Sequence, residues 1–192
     1  MAKKDSKPQT EVDADGLVVQ KYRSLVLVVV PAADFGEQTL RYARSSLYNV
    51  HVGTRSVSTQ MQDLIKGAYQ DEFLVDDLIS NASMEGYSGL VLVGGAGALS
   101  LADDPAVLKL VRDAMAAGKL VAAWGHSVAI LAKAGVLKGR RVTAHPAVRE
   151  AVERAGAKCS TRQVEVDGNL VTGLDDTAGM RLGKALAAIV GI

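Results

Sequence analysis

Glu37, the glycine pair Gly94 and Gly95, the dipeptide Gly125–His126, and His145 each stand a few residues beyond a short apolar run. A carboxylate and two imidazoles can pass protons near neutral pH, and glycine backbone N–H groups can face a developing negative charge as an oxyanion hole does. The set suits acid/base work on a small polar molecule. A metal is not expected: the histidines are His51, His126 and His145, and Cys159 is the single cysteine, so no Cys-rich site can form. A nucleotide cofactor is not expected either. Gly95 and Gly97 begin a G-x-G-x-x-G pattern, but Ser100 stands where its third glycine should be.

The elements that must position these residues are legible from their patterns. LVLVVV from Leu25, the run Leu90 to Val93 and the run Leu120 to Ala123 lack alternation, as parallel strands covered on both faces do. Between the last two, Asp104 can cap and Pro105 can open a helix carrying Val107, Leu110, Val111, Ala114 and Met115 at helical spacing, closed by Gly118. Strand, helix and strand in this order make a βαβ unit. Further on, the pattern predicts a turn at Trp124–Ser127 entering a short helix that stops at Gly135, and a strand in RVTAHP that continues the sheet. It also predicts a helix over Pro146 to Arg154, a hairpin in QVEVDGNLVTG turning at Asp167 and Gly168, and a closing helix over Thr177 to Val190. The segment Tyr48 to Ser83 is the least legible, with strands expected near Val50 to Val52 and Glu72 to Val75. The sum is an α/β three-layer sandwich with a mostly parallel central sheet and helices on both faces. In such sheets ligands bind outside the carboxyl ends of the strands, where the candidate residues fall.

Composition narrows the partners. The chain has 192 residues, 48% hydrophobic, with 22 Lys+Arg against 21 Asp+Glu; that suffices for one core and lacks the basic footprint of a nucleic-acid binder. The longest apolar stretch, Leu25 to Ala33, is broken by Pro31 and falls short of the roughly 18 residues a membrane span needs. The start, MAKKDSKPQT, has no apolar segment behind its lysines, so a cytoplasmic location is expected. Residues 1–20 are charged and poor in large apolar side chains, and read as a disordered tail before one domain over 21–192.

The turn at Trp124–Ser127 between a strand and a helix is the setting of a nucleophile elbow. The run VLVGGAGALSLADDPAVLKLVRDAMAAGKLVAAWGHSVAILAKAGVLKGRRVTAHP, followed by VEVDGNLVTG, resembles the ThiJ/PfpI superfamily, over residues from about 23 to 190. The resemblance implies the flavodoxin-like, class I glutamine amidotransferase-like fold. Members usually carry a cysteine nucleophile at the elbow, within Ala-Ile-Cys-His-Gly or a close variant, whereas this chain reads Ala123, Trp124, Gly125, His126 and Ser127. Gly125 stands in the nucleophile's place. Glu37 matches the acidic residue that pairs with the cysteine in many members, His126 the histidine after it, and His145 a histidine near the site in the branch of the Parkinson-linked protein. Gly125 can keep the elbow's positive φ, so the expected loss is covalent catalysis rather than the fold. Ser127, two positions beyond the apex, is expected to cap the next helix; Trp124 is expected to be core.

These readings imply a pseudoenzyme, non-covalent and stress-related, holding a small carbonyl or carboxylate ligand among Glu37, Gly94, Gly95, Gly125, His126 and His145. One alternative is a cysteine-independent acid/base enzyme acting on a small aldehyde in glyoxalase or hydratase fashion. Another is a chaperone-like structural dimer. The resemblance implies a homodimer in each case.

Overall fold

The computed structural model describes residues 10–12, 18–61 and 64–190. The tail reading therefore falls largely outside the described residues; within it, Thr10–Val12 pairs antiparallel with Val18–Gln20.

The central sheet has seven strands: β1 (Ser24–Val29), β2 (Val52–Ser58), β3 (Asp77–Leu78), β4 (Tyr87–Leu92), β5 (Leu120–Trp124), β6 (Val164–Asp167) and β7 (Leu170–Gly173), in the spatial order β6-β7-β5-β4-β1-β2-β3. Every neighbouring pair is parallel except the hairpin β6–β7. The helices are α1 (Glu37–Tyr48), α2 (Pro105–Ala116), α3 (Val128–Lys133), α4 (Pro146–Arg154) and α5 (Gly179–Val190). Along β1 the side chains alternate between two buried layers. Val26 and Val28 join Leu40, Leu47, Leu182 and Leu186 under α1 and α5, while Leu27 and Val29 join Val107, Leu110, Ile130 and Val148 under α2 to α4. Two covered faces leave no polar alternation, which is why these strands read as unbroken apolar runs.

Helix α2 forms as its sequence requires: Asp104 accepts from Ala106 N–H at 2.8 Å and Val107 N–H at 3.2 Å, Pro105 opens it, and Gly118 leaves it at φ +65°. Four expectations need correction. RVTAHP does not extend the central sheet; Arg141–Val142 pairs in parallel with Lys158–Cys159 in a separate two-stranded ladder. The strand expected at Val50 to Val52 begins at Val52 and runs to Ser58. Glu72–Phe73 pairs with Ile65–Lys66 as a small hairpin of its own, and the edge of the main sheet is Asp77–Leu78 instead. In the β6–β7 hairpin Asp167 still pairs with Leu170, so the two-residue loop is Gly168–Asn169, with Gly168 at φ +59°.

Candidate functional site at the strand elbow

β1 feeds outward to β2 and β3, and the chain then returns to place β4 on the other side of β1. The loops after β1 and β4 diverge at this switch point and leave a crevice at their carboxyl ends, as doubly wound sheets do. Glu37 follows β1, Gly94 and Gly95 follow β4, and Gly125 and His126 follow β5, so the topology gathers these candidates at adjacent strand ends.

The loops are knit by backbone bonds. Gly36 N–H donates to Gly94 O at 2.8 Å and Gly97 N–H to Asp34 O at 3.2 Å. Gly95 sits at φ +107°, open only to glycine, and a Cβ there would lie 2.8 Å from Gly36 N. Its own N–H has no acceptor among the described residues. Gly125 has φ +62°, the left-handed geometry expected of the elbow. A Cβ added to it would meet only Asp175 Cα at 3.7 Å and Gly95 N at 4.0 Å, both ordinary contacts. The elbow is thus formed, and a nucleophile's Cβ would fit at Gly125 beside the Gly95 N–H.

Glu37 is the first residue of α1 and is buried. Its Oε1 accepts from Tyr69 N–H at 2.7 Å and Asp71 N–H at 3.1 Å, both in the turn of the small hairpin, while Gly67 lies against the carboxylate without room for a side chain. Oε2 is buried and has no hydrogen-bond partner among the described residues, so only one carboxylate oxygen is held.

His126 and His145 come together as a stack, ring centroids 4.2 Å apart with 25° between planes. His145 is the N-cap of α4; its Nδ1 accepts from Ala147 N–H at 3.2 Å. Burial, then the nearby charge of His145, hold the His126 imidazole below its ordinary pKa, so it is a neutral base at neutral pH.

Other residues resolve as structural. The Ser127 side chain does not cap α3. Its hydroxyl accepts from Trp124 N–H at 3.1 Å and lies 2.9 Å from both Leu92 O and Trp124 O, tying the ends of β4 and β5. Trp124 is fully buried under α1 and α5, as expected, with its Nε1–H beside Gly94 and without an acceptor among the described residues. Cys159 lies away in its short ladder, and burial followed by the Glu153 charge pushes its thiol pKa up, so it is no substitute nucleophile. His51 sits just before β2, at the opposite end of that strand from the site.

Two carboxylates at the site escape the sequence reading. Asp175 lies beside Gly125, and Asp176 caps α1 from a distant part of the chain, accepting from Thr39 N–H at 3.0 Å and Gln38 N–H at 3.3 Å. Burial raises the Asp176 pKa, opposed by these hydrogen bonds and assisted by the charge of Glu37. A signal was present: both stand just past the strand Leu170–Gly173, at the same kind of position as the other candidates.

A cavity of about 670 Å³ runs from Glu37 along the outer face of α1. Of the predicted site residues it takes in Glu37 alone; Gly94, Gly95, Gly125, His126 and His145 do not line it. Among the described residues no group of three or more His, Cys, Asp or Glu is placed to hold a metal ion, and no helix is long and apolar enough to cross a membrane.

The chain is similar to an uncharacterized protein of Methanocaldococcus jannaschii, 31% identical over 150 residues that cover 77% of this chain and 73% of the other. It is similar to the deglycase PfpI of Pyrococcus furiosus, 32% identical over 109 residues, covering 57% of this chain and 66% of that protein. It is also similar to an isonitrile hydratase of Pseudomonas putida, 35% identical over 100 residues, covering 52% of this chain and 44% of that one. The fold matches the crystal structure of a ThiJ/PfpI domain protein from Brachyspira murdochii at TM-score 0.82 and 24% identity, over 88% of this chain and 97% of the other. The DJ-1/PfpI family model matches residues 24–189, and the chain belongs to that family.

Proposed function

We propose that this chain is a DJ-1/PfpI protein without the usual elbow nucleophile, a pseudoenzyme that binds a small carbonyl compound non-covalently at Gly125 in a stress-related, cytoplasmic role. The observation that carries the reading is the left-handed Gly125, where a Cβ would fit without a clash, 4.0 Å from a Gly95 N–H that has no acceptor among the described residues. A ligand oxygen there would accept from that N–H as an oxyanion does. A neutral carbonyl suits the site better than a carboxylate, because the acidic residues Glu37, Asp175 and Asp176 all follow strands that end at it.

A second reading is a cysteine-independent acid/base enzyme. It is favoured by Glu37 Oε2, which has no partner among the described residues, and by the neutral His126 imidazole: the carboxylate would take a proton from a carbon next to a carbonyl and return it to the carbonyl carbon, while the imidazole accepts a substrate hydroxyl's proton and hands it to the carbonyl oxygen. The relatives named deglycase and isonitrile hydratase carry enzyme names, which supports this reading.

The deciding experiment is turnover of methylglyoxal followed by NMR for the unaltered chain, Glu37→Gln and Gly125→Cys. Lactate formed by the unaltered chain and lost in Glu37→Gln makes it an enzyme. Silence broken only by Gly125→Cys supports the pseudoenzyme. A homodimer belongs to both readings, and a chaperone-like structural dimer is the remaining one. Met61, Leu64, Tyr69 and Leu74 are exposed within one short segment, a surface that a partner subunit would cover. Light scattering at the monomer mass would refute the dimer.

A further inference from the structure

The cavity along α1 has a chemistry of its own. Glu37, Leu40, Arg41, Arg44, Ser45 and Tyr48 recur at spacings of three and four, so one face of α1 forms its wall. Phe35 and Phe73 meet edge to face with centroids 6.0 Å apart, as do Tyr22 and Tyr48 at 6.2 Å, and these aromatic pairs line the cavity. Its volume is in the range of small-molecule sites.

The polar groups divide into satisfied and unsatisfied ones. Arg41 is paired with Asp71. Arg44 lies with its guanidinium carbon 5.0 Å from the Phe73 ring centroid and donates through Nε to Thr54 Oγ1 at 3.3 Å; its terminal nitrogens have no acceptor among the described residues. At the other end Glu37, only 4% exposed, keeps Oε2 buried with no donor among the described residues. Glu72 is exposed at the rim and adds negative charge. Glu37 and Arg44 are seven residues apart on the helix, about 10 Å along its axis.

We propose that this groove binds an elongated zwitterion: an ammonium group donating to Glu37 Oε2, a carboxylate on the Arg44 guanidinium, and an apolar body of about 10 Å between the aromatic walls. A buried carboxylate oxygen without a donor is costly, and an ammonium group satisfies it with a charge-assisted bond. The guanidinium, fixed by Phe73 and Thr54, offers a carboxylate its remaining fork of donors. The site shares Glu37 with the elbow but needs none of the elbow's chemistry.

The test is calorimetric titration of the full chain with 8-aminooctanoate, octanoate and octylamine. 8-Aminooctanoate binds at least about tenfold tighter than either single-headed analogue, each lost charge-assisted contact amounting to about one decade. Arg44→Ala reduces 8-aminooctanoate to the level of octylamine and leaves octylamine unchanged, and His126→Ala alters none of the three. Equal affinities, or no binding at all, overturn the proposal. So does loss of binding in His126→Ala, which would put the ligand at the elbow, and so does an Arg44→Ala chain that loses dimer mass on light scattering, which would make the groove a subunit interface. A silent methylglyoxal assay beside intact 8-aminooctanoate binding would fail the enzyme reading alone.

Discussion

The His126 ring lies on the His145 ring, centroids 4.2 Å apart, and His145 in turn holds the first turn of α4 through its Nδ1. Burial opposes the charge on His126, and two imidazoles so placed cannot both be charged without repulsion, which opposes it further. His126 therefore holds a proton less tightly in the fold than in the unfolded chain, whose reference value is 6.5. Below that value the unfolded state binds more protons, so stability falls as pH drops through 6.5 toward the folded pKa; above it this contribution is constant. Urea melts from pH 5 to pH 8 should show this acid loss, and His126→Gln should shrink it. An unchanged slope in His126→Gln would place the acid sensitivity elsewhere.

Gly125 and Gly94 should respond in opposite degree to alanine. Gly125→Ala meets no clash and bears only the left-handed backbone cost of about 1 kcal/mol. Gly94→Ala drives its methyl into Trp124 O and to within 2.7 Å of the indole Nε1, in a fully packed layer, and should cost about 2–3 kcal/mol. Thermal melts of the two variants measure the difference directly.

Glu37→Gln should separate function from stability. Its Oε1 can still accept from Tyr69 and Asp71 N–H, so stability should stay within about 1 kcal/mol, while proton transfer is lost. Turnover of methylglyoxal, if the unaltered chain shows it, should drop by about a hundredfold or more. Retained turnover would remove Glu37 from the chemistry.

Asp176→Ala removes the side chain that satisfies two N–H groups at the start of α1, because Gly36 at the N-cap offers none. A loss of about 1 kcal/mol is expected, with hydrogen exchange accelerating first at Gln38 and Thr39. Since this cap sets where α1 begins, Asp176→Ala should also weaken any ligand effect that depends on Glu37.

What the sequence by itself determined is what adjacent residues decide among themselves. The unbroken runs of β1, β4 and β5, the Asp104–Pro105 start and Gly118 stop of α2, the β6–β7 hairpin and the positive-φ glycine of the elbow are all local choices of propensity, capping and turn geometry. The strand-end rule then collected Glu37, Gly94, Gly95, Gly125, His126 and His145. Only the tertiary structure decided the rest. Two-residue strands such as Glu72–Phe73 and Arg141–Val142 exist through their partners, so their own letters cannot assign them to a sheet. The holding of Glu37 Oε1 by a turn 32 and 34 residues away and the capping of α1 by Asp176 across 137 residues are likewise products of packing. Such contacts follow from where the layers bring distant segments together, and no short-range pattern encodes that distance.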